Sequence, residues 1–181
     1  MQTKWMVAVG VAIGFTLAAR ADEAKKGLSD PQIATVALTA HQIDIDRGKT
    51  AMHKTRNAEV KQFAEQMVHD HEAGKQEVLA LARQLGVKPE QSDVTKSLEA
   101  DAKKVARRLA KEKGAAFDRD YIDTEVAYHQ AVIDAVNKLL IPGAQNARVK
   151  MALQNTVPTL EGHLQHARNI QAQLPAKTAS R

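Results

Sequence analysis

Five ionisable residues interrupt the apolar stripes of four predicted helices, and their types suit metal binding. When residues are placed at about 100° per step, most ionisable side chains fall opposite or beside each stripe. Those near the centre of a stripe are Asp44, His71, Glu125, His129 and His163. Glu125 and His129 are four positions apart, so they lie on one helix face a turn from each other. Inward imidazoles and carboxylates are the ligands with which helical bundles hold transition metals.

Three further acids lie on or beside the same faces and are candidate partners that orient the ligands. They are Asp70, Asp118 and Glu161. A buried group of imidazoles and carboxylates is costly to desolvate unless its members pair with one another or bind a cation. A metal site and a metal-free polar core therefore both stay open. The histidines expected to face solvent instead are His41, His53, His69 and His166.

The available ligand types narrow the metal and the chemistry. Carboxylate together with imidazole favours iron, zinc, copper or manganese over calcium. The chain has no cysteine, which excludes thiolate zinc sites and cysteine nucleophiles. Di-iron bundles carry Glu-x-x-His on two helices, whereas this chain has Glu125-x-x-x-His129 and Glu161-x-His163. A site for a single metal ion is thus favoured over the two-ion site of a di-iron oxidoreductase. Hydrolase and phosphate-loop motifs are absent from the sequence. A protein without enzymatic activity is therefore the favoured interpretation, and an enzyme stays the open alternative.

The composition and the turn signals predict helices that would position these residues. Ala, Leu, Lys, Gln and Glu dominate and aromatic residues make up 3%, which favours an all-α domain. Pro142-Gly143 is expected to end the third long helix, and Pro158 to bend the fourth. A basic helix over about 94–113 separates two hairpins, which predicts a ferritin-like four-helix up-down bundle with a crossover helix. The four long helices are expected at about 31–54, 57–85, 117–140 and 145–174.

The first 21 residues have the pattern of a secretory signal peptide. Lys4 precedes an apolar run over 5–19, and Ala19-Arg20-Ala21 offers a cleavage site after Ala21. The run is too short to span a bilayer. We therefore predict a signal peptide at 1–21, a linker at 22–28, the bundle at 29–174 and a flexible tail at 175–181, in a periplasmic protein. Cleavage would leave 24 basic and 21 acidic residues, a net charge of +3, and nucleic acid is not an expected partner there.

The predicted crossover helix has a strongly basic face. Its basic residues are Lys103, Lys104, Arg107, Arg108, Lys111 and Lys113. The favoured interpretation is the solvated face of a packed helix. The alternative is weak contact with an anionic envelope surface, which would make the protein a metal-free structural or interaction module. The sequence does not indicate an oligomeric state.

Four ordered segments resemble a large family of exported bacterial proteins. They are DIDRGKTA at 44–51, VKQFAEQMVHDH at 60–71, FDRDYI at 117–122 and VPTLEGHL at 157–164. The family is a ferritin-like domain of unknown function whose members are often labelled outer membrane proteins, and the resemblance covers about 29–174. It implies a four-helix up-down bundle and no established activity. The family usually has Glu where this chain has Asp44, a shorter side chain that would alter a metal site. We therefore expect an exported bundle that binds one transition metal ion in its core, with a role in metal handling or stress tolerance.

Overall fold

The computed structural model describes residues 27–176, and all regular structure in this range is helical. The predicted signal peptide, most of the predicted linker and the end of the predicted tail lie outside the described residues. The elements are α1 (Asp30–Lys54), α2 (Ala58–Leu85), α3 (Asp93–Lys111), α4 (Gly114–Ala135), a π-helical segment (Val136–Leu140), α5 (Ile141–Gly143) and α6 (Ala147–Gln173).

Local capping sets the ends of the first hairpin. The Ser29 hydroxyl accepts the Gln32 amide, and the Gln32 side chain accepts the Ser29 amide, which forms a capping box at the start of α1. The Asn57 side chain accepts two first-turn amides of α2. At the end of α2, Gly86 has φ +64°, a left-handed conformation that glycine adopts without steric cost. The bounds of α1 and α2 agree with the predicted ranges 31–54 and 57–85 to within one residue.

The third long helix departs from its predicted range at both ends. The helix expected at 117–140 begins at Gly114 and continues beyond Leu140, through the π-helical segment and α5, to Gly143. The expectation that this helix ends at Pro142-Gly143 is confirmed, with the last helical residue three positions beyond Leu140. Pro142 lies in the last turn of the helical run, just after the π-helical segment.

The crossover helix α3 joins the two hairpins. At the end of α1, Lys54 Nζ donates to the carbonyls of Leu109 and Ala110 on α3, at 2.7 and 2.9 Å. Arg108 Nε donates to Asp120 Oδ2 on α4 at 2.9 Å, so this arginine holds α3 against the bundle. α1 packs along α2 and α4 packs along α6. The predicted all-α four-helix bundle with a crossover helix is confirmed.

Two apolar clusters fill the bundle at different heights. One contains Phe63 of α2, Phe117 of α4 and Ile170 of α6. The other contains Ile33 of α1 and Leu153 of α6. On α1, Asp44 falls between Val36 of the second cluster and Ala51 of the first, and on α4, Glu125 and His129 fall between Ile122 of the first cluster and Ile133 of the second. The polar centre is thus enclosed by apolar packing above and below.

Candidate metal centre

Three histidines from three helices converge between the apolar clusters. His71 of α2, His129 of α4 and His163 of α6 each place one ring nitrogen within 4.8 Å of the others. Their ring centroids are 5.8 Å apart for His71 and His129, 5.3 Å for His71 and His163, and 5.4 Å for His129 and His163. All three side chains are buried, with exposures of 4%, 0% and 3%. We refer to this group as the three-histidine site.

Hydrogen bonds fix two of these rings from outside the site. His129 Nδ1 donates to the main-chain carbonyl of Glu125 at 3.0 Å. His163 Nε2 lies 3.0 Å from Asp70 Oδ2 and donates to that carboxylate. The remaining nitrogens, His129 Nε2 and His163 Nδ1, are buried and have no hydrogen-bond partner within residues 27–176. Each ring therefore directs an unprotonated nitrogen into the site, as a metal-binding histidine does.

His71 is held by a fourth histidine that the sequence analysis placed in solvent. His71 Nδ1 lies 3.0 Å from His41 Nδ1, and His71 Nε2 is buried without a hydrogen-bond partner in the described part of the chain. His41 fits because position 74 is glycine: a Cβ there would lie 2.5 Å from His41 Cε1. Burial lowers the pKa of His41 to about 4. The expectation that His41 faces solvent is wrong, and the helix-interior Gly74 is the signal that could have shown it.

Burial keeps the three imidazoles of the site neutral. Burial, together with the nearby His129 and His163, lowers the pKa of His71 to about 3. Burial also lowers the pKa of His129 and of His163, although Glu125 and Asp70 oppose this effect. Neutral imidazole is the form that binds metal ions, so the rings need not lose a proton at pH 7.

A second group beside the first contains both central carboxylates. Asp44, Glu125 and His129 place one ligand atom each within 4.8 Å of one another. The buried Arg47 guanidinium lies between the acids, with Nη1 3.8 Å from Asp44 Oδ1 and 3.7 Å from Glu125 Oε1. Its Cζ lies 4.0 Å from the centre of the Tyr128 ring. Sequence reasoning missed Arg47, although it follows Asp44 by three residues and hence shares its helix face.

Asp44 connects the two groups. Its Oδ2 lies 3.5 Å from His71 Nε2, while its other carboxylate oxygen faces Arg47. Burial raises the pKa of Asp44 to about 6, against the opposing charge of Arg47. Burial also raises the pKa of Glu125 to about 8, with the Asp44 charge adding to the effect. Asp44 is thus the carboxylate that borders the three-histidine site.

The remaining predicted acids have different surroundings. Asp70 orients His163, as described above. Asp118 is buried with Oδ1 lacking a hydrogen-bond partner in the described range, but it belongs to neither candidate ligand group there. Glu161 is exposed on α6. The structure therefore brings the five central residues together and places Asp70 alone of the three outer acids against a ring.

Within residues 27–176, none of the helices combines the length and the apolar character needed to cross a membrane.

The fold and the site define a helical bundle with a buried centre of histidines and carboxylates. The chain belongs to the family described as domain of unknown function DUF4142, whose pattern matches residues 15–170. No curated protein sequence matches the chain.

Two solved structures share the fold. A Streptomyces coelicolor protein described as secreted protein DUF305 superposes with a TM-score of 0.68 at 12% identity, covering 83% of this chain and 96% of its own. CopM in the Cu(II)-bound form superposes with a TM-score of 0.63 at 17% identity, covering 82% of this chain and 100% of its own.

Proposed function

We propose that this protein is an exported metal-handling bundle that binds one transition metal ion through His71, His129 and His163. The observation that carries the proposal is the convergence of three buried, unpartnered ring nitrogens from three helices. An unsatisfied buried polar atom costs about 1–3 kcal/mol, so three at one point are expensive in a stable core. One cation would satisfy all three together.

The ligand set favours zinc or copper among the candidate ions. Three imidazoles with one further ligand give the four-coordinate geometry common for zinc, and imidazole also suits copper. Asp44 is the proposed fourth ligand because its Oδ2 already lies 3.5 Å from His71 Nε2. CopM, described in its Cu(II)-bound form, supports copper to the extent that a bundle of the same shape holds that ion. Iron and manganese accept the same donor types and belong in the same titration.

Glu125 has a different proposed role from Asp44. Arg47 lies 3.7 Å from Glu125 Oε1 and would repel a second cation in the carboxylate group. We therefore assign Glu125 to the pairing of Arg47 and to the support of His129 through its main-chain carbonyl. This arrangement favours one ion per chain over the two ions of a di-iron oxidoreductase.

Location and physiological role belong to the same proposal. The predicted signal peptide and the likeness in fold to a protein described as secreted support export, and we propose the periplasm as the destination. A neutral imidazole site on an exported bundle suits the capture of metal ions outside the cytoplasm. The proposed role is therefore metal handling or tolerance of metal stress.

Metal content tests the proposal directly. We expect about one zinc or copper ion per chain in untagged protein, by elemental analysis and by titration calorimetry with each candidate ion. At free metal a hundredfold above Kd, binding adds about 2.7 kcal/mol of stability, visible as a higher Tm. His163→Ala should lose both effects, and the matched control His53→Ala, at an exposed position of α1, should lose neither.

A different outcome would favour the metal-free alternative. If the wild-type protein takes up none of the four ions and chelator leaves its Tm unchanged, the cluster is a structural polar core. The protein would then act as an interaction module, and the exposed basic residues of α3 become the surface to test against anionic envelope components.

A further inference from the structure

A cleft of about 540 Å³ between α1, α2 and α6 leads to the three-histidine site. Its outer end lies near Asp30 at the start of α1 and Val149 at the start of α6. Its inner end includes His41, His71 and His163. The eleven residue steps from Asp30 to His41 correspond to about 16 Å of helix, so the cleft extends from one end of the bundle to its centre.

The charge of the cleft is opposite to that of the protein. Its charged side chains are Asp30, Asp70 and Glu77, and no lysine or arginine of residues 27–176 lines it. The whole chain carries a formal net charge of +5. A cleft with acidic groups and low-dielectric walls concentrates cations and repels anions. The lining is otherwise mostly apolar and rich in small residues, such as Ala73 and Ala152.

The inner end of the cleft is lined by two histidines of the site. His71 Nε2 and His163 Nδ1 are buried and lack hydrogen-bond partners in the described range, and both residues line the cleft. His129, the third member of the site, is fully buried and is not part of the lining. The cleft thus reaches the three-histidine site from the side of α1, α2 and α6, and none of its described lining residues belongs to α4.

We propose that this cleft is the access route along which a free divalent cation, rather than an anionic metal complex, reaches the three-histidine site. The proposal rests on the metal-binding function above and adds the path and the charge of the species admitted. Asp30 and Glu77 attract the cation, and Asp70 stands at the inner end where it orients His163. His41 lies beside them, hydrogen-bonded to His71, and is the outermost imidazole on the path.

Association kinetics of Co²⁺, followed by its visible absorption in a stopped-flow instrument, test the path. Glu77→Lys reverses a charge in the cleft at an exposed position and leaves every proposed ligand in place. We expect association to slow at least about threefold at low ionic strength, with the difference shrinking at high salt. Glu65→Lys, an exposed position on the same helix outside the cleft, is the matched control and should retain the wild-type rate.

A second pair of variants separates rate from affinity. Ala152→Phe narrows the cleft, so both association and release of Co²⁺ should slow by a similar factor while Kd stays within about twofold. Ala172→Phe, exposed on the same helix and outside the cleft, should behave as the wild type. Circular dichroism and Tm establish that the variants are folded.

The outcomes distinguish the two proposals. If the wild-type protein binds Co²⁺ at equilibrium but either cleft variant keeps the wild-type rates, the access route is overturned and the three-histidine site stands. If the wild-type protein binds no Co²⁺, Zn²⁺ or Cu²⁺ in an equilibrium titration, the metal-binding function fails and the access route fails with it.

Discussion

Replacing Gly74 by alanine tests whether His41 prepares His71 for metal binding. An added Cβ would lie 2.5 Å from His41 Cε1 and 3.1 Å from its Nε2. Ordinary carbon contacts begin at about 3.5 Å, so the imidazole must move by roughly 1 Å. This movement breaks the 3.0 Å hydrogen bond between the Nδ1 atoms of His41 and His71. None of the proposed ligands is itself changed.

Stability and metal affinity should respond differently to Gly74→Ala. Removing a glycine from a helix interior stabilises the fold by about 1 kcal/mol. Losing one hydrogen bond costs about 1 kcal/mol, so the free energy of unfolding of the metal-free protein should change by less than about 1 kcal/mol. Loss of the outer partner of a metal-binding histidine typically weakens binding ten- to hundredfold. We therefore expect Kd for zinc or copper to rise at least about tenfold.

Two other glycines provide matched controls for Gly74→Ala. A Cβ on Gly162, which precedes His163, meets nothing within 4 Å, so Gly162→Ala should add up to about 1 kcal/mol of stability and leave Kd unchanged. A Cβ on Gly48 would lie 2.8 Å from Val68 Cγ2 and 3.0 Å from the Ala64 carbonyl, so Gly48→Ala should destabilise the α1–α2 pair. Urea unfolding in chelator gives the stabilities, and competition with a chromophoric chelator gives Kd.

The result that would refute this reasoning is a wild-type Kd in folded Gly74→Ala. His41 would then have no part in orienting His71, and the close approach of the two rings would be a packing contact only. His41→Ala provides the corresponding check, because it removes the same hydrogen bond without adding a Cβ at position 74.

The remaining predictions concern pH and the crossover helix. As the pH rises from 6.5 to 8, the free energy of unfolding of the metal-free protein should fall by up to about 1.4 kcal/mol per pH unit. Burial raises the pKa of Glu125 to about 8, so the folded protein retains a proton that the unfolded chain has already released. Glu125→Gln should flatten this slope in urea unfolding, and an unchanged slope would contradict the assignment. Below pH 6.5 stability should fall toward acid, because the lowered pKa values of four histidines keep them neutral in the fold while the unfolded chain binds their protons; these are His41, His71, His129 and His163. Four imidazoles outweigh the opposite contribution of the raised pKa values of Asp44 and Glu125. Arg108→Ala should lower the free energy of unfolding by about 2 kcal/mol, because it removes the 2.9 Å hydrogen bond to the buried Asp120. The control Arg107→Ala, at the exposed neighbouring position, should lower it by less than about 0.5 kcal/mol in the same urea assay.

Much of the fold follows from local signals in the sequence. Ser29, Asn57 and Gly86 set helix ends through hydrogen bonds and conformations that depend on a few neighbouring residues. The apolar stripes fix which face of each helix turns inward, and this is why the five central residues meet. The exact last residue of the third long helix, Gly143 instead of Leu140, is less predictable, because turn residues indicate a helix end without fixing its final residue.

The site residues that sequence reasoning misplaced or missed depend on contacts between helices. His41 is partly buried because Gly74, on another helix, leaves room for its ring. Arg47 is buried because acids on two helices and the Tyr128 ring surround its guanidinium. A helical wheel treats each helix alone, so it gives the face of a residue but not the space or the charge that the neighbouring helix offers. Glu161 is the opposite case, because it is expected on or beside the inward face of its helix and is exposed in the structure.

The polar centre is divided into the three-histidine site and the group of Asp44, Glu125 and His129, and this division favours reversible binding of the proposed ion over a structural metal. On one side of His129, Arg47 compensates the charge of Asp44, and the raised pKa of Glu125 keeps that acid neutral at pH 7. The imidazoles on the other side are neutral through their lowered pKa values. The metal-free centre therefore contains no large uncompensated charge, while apolar clusters above and below hold the helices together. Structural zinc sites differ, because their domains unfold when the metal is removed. A bundle that stays folded in the metal-free form would be able to load and release the proposed ion, and this behaviour is what the proposed metal handling requires.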